Sequence, residues 1–204
     1  MAQYARPDAD ISDGDWLNQS DSNTNLYASI DESSASDSDY IKATDEGYGS
    51  ASDIVCIIGL SDIDDPDGNA DHKIKYRASD DSGVNAMSLK VELLEGSTVR
   101  KTDTNSSLTS SLATYTINLT TGEAGNISDY TDLRLRFTAN DSSGAGSTCT
   151  VSWAEFQAPD AASGIVTSPA FLLFVDFVYL GLYQSLKKSV VVNTFLYFCR
   201  RIRK

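Results

Sequence analysis

The sequence predicts an all-β protein: an antiparallel β-sandwich of jelly-roll type, carrying an apolar and basic C-terminal appendage. Three observations predict it. About eight short segments alternate apolar with polar residues or run as β-branched stretches of strand length. Clusters of Gly, Asp, Asn and Ser separate these segments. No long amphipathic helix interrupts them, and long acidic loops alternate with the strands, which favours the jelly roll.

Taken in order, residues 1–25 are polar and hold Pro7 and Trp16, with a first strand expected near Tyr4–Arg6 and loop after it. Leu26–Ile30 is a short apolar segment. Asp31–Asp39 is an acidic serine run, read as a solvated loop. Tyr40–Ala43 reads as a short strand. Ile54–Leu60 (IVCIIGL) is continuous, apolar and β-branched, as in a buried strand. Ser61–Asp71 is a turn. His72–Ala78 alternates, with Ile74 and Tyr76 inward and Lys73, Lys75 and Arg77 outward. Leu89, Val91 and Leu93 mark the next strand, which Glu95-Gly96-Ser97 turns into Thr98–Thr102. Tyr115, Ile117 and Leu119 mark another, and Thr120–Asp129 is a loop with one helical turn. The stretch 130–156 reads as a β-hairpin. Leu133, Leu135 and Phe137 alternate with Arg134, Arg136 and Thr138. A polar loop, Asn140–Ser147, leads to Cys149, Val151 and Trp153, with Trp153 expected in the core.

Charge divides the chain. The net charge is −13 over 204 residues, which argues against nucleic-acid binding, since that needs a basic footprint. Residues 164–204 nevertheless carry six Lys/Arg against one acid, Asp176, and five of the seven Phe. The division predicts a sandwich domain over 1–160 and a separate tail over 161–204. Three cysteines without a close pair (Cys56, Cys149, Cys199) are not a zinc or disulfide framework. They read as buried thiols, with a Cys56–Cys149 bridge between sheets as the minority reading. Residues 1–20 lack the apolar run of a signal peptide.

Several segments carry a family resemblance: RPDADISDGDW (6–16), LYASIDE (26–32), DSDYI (37–41), YTDLRLRFTA (130–139) and VSWAEFQAP (151–159). Over about residues 4–160 the chain resembles a jelly-roll-like β-sandwich module of tailed-phage and environmental viral structural proteins. The resemblance implies a non-enzymatic domain used for decoration, fibre or receptor contact. It brings no catalytic motif and does not extend to the tail.

Candidate chemistry is sparse. In DIDDPDGNAD (62–71), Asp65, Asp67, Asn69 and Asp71 occupy alternate positions around Gly68, oxygen ligands of the kind calcium takes. An EF-hand pattern fails at Ala70 and Tyr76, and a plain turn at Pro66-Asp67-Gly68 is the simpler reading. Calcium is the one cofactor this loop suggests. Lys73, Lys75 and Arg77 on one strand and Arg134 and Arg136 on another would form a basic face for an anionic glycan or acidic subunit if the strands are neighbours. Otherwise they are a solvated face paired with acids. Trp16, in a polar loop, is a candidate sugar-stacking platform. His72 is the only histidine and no nucleophile motif accompanies it, so no enzyme is expected.

The tail segment 164–186 is long enough to span a bilayer, with Lys187 and Lys188 beside it. Asp176 near mid-span would cost about 3 kcal/mol. A membrane anchor, an assembly arm and a segment foreign to the fold are three readings of it. The resemblance implies a virion-associated structural protein whose partners are other virion subunits, itself as a homo-oligomer, or the host surface. The alternatives are a carbohydrate-binding module and a membrane-anchored protein displayed at the cell surface.

Overall fold

The structure is a computed structural model that describes residues 1–45, 53–66, 68–81, 87–141 and 146–161. Eleven strands are present among them: β1 Ala2–Ala5, β2 Pro7–Ser12, β3 Leu17–Asn18, β4 Ile41–Asp45, β5 Ile54–Leu60, β6 Lys73–Asp80, β7 Ser88–Glu95, β8 Thr98–Asn105, β9 Ala113–Asn118, β10 Leu133–Asn140 and β11 Ser147–Pro159. One short helix, α1, covers Thr121–Ala124. The tail and its membrane and assembly readings lie outside the described residues, as does Asp67.

Two antiparallel sheets form. One has the order β3-β4-β11-β6-β9, with β1 also paired to β11; the other has the order β2-β5-β10-β7-β8. Set aside the three N-terminal strands and the orders are 4-11-6-9 and 5-10-7-8. The chain alternates between sheets at every step except the β7–β8 hairpin, which is the winding of a jelly roll.

The predicted hairpin at 130–156 does not form. β10 pairs with β5 and β7, while β11 pairs with β1, β4 and β6. The two strands face each other across the core instead of lying side by side. Their alternation is correct as far as Val151, because both present one apolar face inward. Strands either side of a polar loop show this pattern whether the chain returns beside itself or crosses to the other sheet.

The core is built from those inward faces. Ile54, Cys56 and Ile58, with Leu133, Leu135, Phe137, Leu89 and Val91, meet Ile74, Tyr76, Cys149, Val151 and Phe156 of the other sheet. Cys56 and Cys149 are buried free thiols, so the bridge between them is not formed. The N-terminal segment switches sheets at Arg6-Pro7. There the Arg6 N–H donates to Ser61 Oγ at 3.1 Å, and the Ser61 N–H donates to the Arg6 carbonyl at 2.8 Å. Pro7, which has no N–H to offer, begins the edge strand.

Trp16 belongs to this core, not to a binding loop. It is fully buried, its Nε1 donates to the Ile54 carbonyl at 3.0 Å, and its ring lies 6.2 Å from Phe137. The Asp13–Trp16 turn presses it inward. Gly14 holds φ +53°, and a Cβ there would collide with the Val55 carbonyl oxygen. Its polar sequence neighbours hid a core anchor.

Trp153 differs in the opposite sense. The β11–β6 register shifts between Val151 and Trp153, and this bulge reverses the alternation. Ala154, Phe156 and Ala158 then face the core, and Trp153 shares the outer face with Glu155. Trp153 is still only 6% exposed. Its cover is the acidic serine run.

Candidate ligand-binding face

The outer face of the β1-β11-β6-β9 region is ordered by strand register into transverse rows. The first row is Tyr4, Gln157, Lys73 and Asn118, one residue from each of the four strands. The second is Arg6, Glu155, Lys75 and Thr116, and the third is Trp153, Arg77 and Thr114. Period-2 alternation points all of these side chains outward.

In the second row two cations share one carboxylate. Glu155, 3% exposed, accepts from Arg6 Nη2 at 3.2 Å and from Lys75 Nζ at 3.1 Å. The same two cations sit 5.3 Å and 5.7 Å from the centroid of the Tyr4 ring and hold it by cation–π attraction. Tyr4 is 41% exposed. Gln3 ties β1 down. Its Nε2 donates to the Asp64 and Pro159 carbonyls, and its Oε1 accepts from the Asp64 N–H at 2.9 Å.

In the third row Arg77 grips Asp37 with both Nε (2.5 Å) and Nη2 (2.7 Å), and the guanidinium holds the Asp37 carboxyl below its ordinary range. Ser152 Oγ donates to the same carboxylate at 3.2 Å, and Trp153 Nε1 donates to the Glu32 carbonyl at 2.8 Å. The run read as a free solvated loop is therefore a strap laid over Trp153. Glu32 within it is pushed up to about 7, by burial first and then by a carboxyl hydrogen bond and repulsion from Asp39.

The single basic face does not exist. Arg134 and Arg136 lie on β10 of the other sheet, so they point away from Lys73, Lys75 and Arg77 on the opposite side of the sandwich. Arg134 pairs with Asp132 at 2.7 Å and Arg136 with Glu92 at 2.6 Å. Burial works against the Glu92 charge, but Arg136, Lys90 and Thr102 outweigh it and lower its pKa. Of the five basic candidates, only Lys73 makes no ion pair among the described residues.

Of the candidate calcium loop, Asp65, Asn69 and Asp71 lie within the described residues and Asp67 does not. A Cβ added to Gly125 would sit 2.8 Å from Asn69 Nδ2, so that amide lies against the end of α1. Asp71 holds φ +59°, and Asp65 lies near enough to Tyr130 to raise its phenol, second to burial, to about 12. Among the described residues no three His, Cys, Asp or Glu gather as a metal site.

Sequence reasoning missed Tyr4, Gln157 and Asn118. No local signal marks them; only the register brings residues from both ends of the domain into one line.

No protein-family model matches the chain, and no curated protein matches it. Among solved structures it is similar to TmCBM61 in complex with β-1,4-galactotriose, at 8% identity and TM-score 0.33, over 78% of this chain and 88% of that one. It is also similar to the enzymatically active domain of bacteriophage CBA120 tailspike protein 4, at 11% identity and TM-score 0.35, over 77% of this chain and 19% of that one. Both likenesses are too coarse to assign a family or an activity.

Proposed function

We propose that this is a non-enzymatic structural domain of a virion, a decoration, fibre or tail component that works by contact with neighbouring subunits or the host surface. One observation carries this reading: the sandwich guards its sheet edges unequally. β2 has Pro7, Asp8, Asp10 and two breaks of register. β8 has Arg100, Lys101, Asp103 and one break. β3 is two residues long. β9 (ATYTIN) has no charge, no Pro and an unbroken register with β6 over all six residues. No described strand lies on its other side. An unguarded neutral edge accepts a strand from a neighbour.

The test is solution mass by light scattering across a concentration series. The chain is expected to assemble, and Thr114→Lys with Thr116→Lys, both exposed, is expected to return it to monomer. A chain that stays monomeric throughout, or an assembly indifferent to the two lysines, would sink the reading.

A second reading, a carbohydrate-binding module, is favoured by Tyr4, an exposed aromatic ring contacted by two cations, beside polar side chains that make no hydrogen bond among the described residues.

A further inference from the structure

We propose that the Tyr4–Gln157–Lys73–Asn118 row is a binding site for an acidic oligosaccharide. The proposal rests on the carbohydrate-binding reading for its ligand class and narrows it to one row and one charge type.

The outward side chains differ in what each has left to give. The neighbouring rows are committed. Arg6 and Lys75 are both paired to the single carboxylate of Glu155, and Arg77 is held by Asp37. Gln3, also on β1, is locked by three hydrogen bonds to backbone. In the proposed row the Gln157 amide, the Lys73 ammonium and the Asn118 amide make no hydrogen bond or ion pair among the described residues. They stand on adjacent strands in direct register. The fourth member, Tyr4, offers an exposed ring already fixed by two cations, so little side-chain freedom is lost when a sugar stacks on it.

The dimensions and chemistry select the ligand. Three strand spacings of about 4.8 Å set a line of roughly 14 Å, the length of a short oligosaccharide. An aromatic ring suits the C–H face of a pyranose. Two amides both donate and accept, as hydroxyl groups require. Lys73 supplies one compact positive charge for a carboxylate or sulfate. A highly charged polyanion such as nucleic acid is disfavoured by the net charge of −13, whereas one or two acid groups meeting one unpaired ammonium are not.

The test is calorimetric titration of the full chain with matched oligosaccharides: neutral, uronate-containing and sulfated. Acidic sugars are expected to bind in preference to neutral ones. Lys73→Gln is expected to erase that preference, a loss of roughly tenfold for one charge-assisted contact. Tyr4→Ala is expected to weaken every sugar, and Arg134→Gln on the opposite sheet to change nothing. Thermal melts of each variant verify the fold. Binding that is charge-blind and unmoved by Lys73→Gln would overturn the acidic assignment yet leave the carbohydrate reading standing. No binding by any sugar would overturn both.

Discussion

His72 is fixed in one tautomer. Its Nδ1 lies 3.0 Å from the Ala70 carbonyl, which only accepts, so Nδ1 carries the proton. Nε2 then accepts from the Tyr130 hydroxyl at 2.9 Å, inside a site closed by Phe156. Burial lowers the His72 pKa from 6.5, with the Ala70 hydrogen bond and Asp71 opposing. The sign follows from proton binding. Below 6.5 the unfolded chain takes up a proton that the folded site resists, so this contribution is intact above 6.5 and is lost as pH falls through the folded value. In urea unfolding the stability of the unaltered protein relative to His72→Phe is expected to shrink from pH 7 towards pH 5, the window in which Glu32 acts with the opposite sign in both proteins. Tyr130→Phe removes the only partner that a buried nitrogen has among the described residues and is expected to cost about 1–3 kcal/mol at pH 7. A null effect would mean that water replaces the hydroxyl.

At the scale of elements, β11 organises the domain. Its 13 residues pair with β6 on one side and with β4 and β1 on the other, and its single bulge decides what each face presents. The same bulge turns Trp153 outward, where the 30–39 strap covers it. Ala154 N–H donates to the Ile30 carbonyl, Trp153 to Glu32, and Arg77 closes on Asp37. Asp37→Asn is therefore expected to loosen the strap and admit acrylamide to one of the two tryptophans while Trp16 stays shielded. Glu32 adds a pH dependence. Its folded pKa is raised to about 7, so its contribution is complete below the ordinary carboxylate range and is lost as pH rises through about 7. Quenching of Trp153 in the unaltered protein is expected to increase across that range. Equal quenching in both proteins at every pH would show that the strap does not control access to the indole.

For the whole molecule, the contrast between an acidic sandwich and an apolar, basic tail is a property of composition that one comparison can assign. In liposome flotation of the full chain against a 1–162 truncation, retention of the full chain alone at the vesicles assigns the tail to the membrane. If both stay behind, the membrane reading ends and the tail is left to assembly.

What the sequence by itself determined is most of the strands and, away from the β11 bulge, the side their residues face. Ile74 and Tyr76 point inward and Lys73, Lys75 and Arg77 outward, as alternation requires. The turn at Gly96, with φ +58°, and the helical turn within Thr120–Asp129 were equally local. What only the tertiary structure decided is which strands are neighbours. Alternation is a two-residue signal, whereas pairing is settled by competition among distant strands for edges and for core volume. That competition separated Arg134 and Arg136 from Lys73, dissolved the expected 130–156 hairpin, drew Trp16 inward against Phe137, and aligned Tyr4 with Gln157, Lys73 and Asn118. A one-residue bulge reversed the face of Trp153 for the same reason: the extra residue is invisible until a partner strand defines the register.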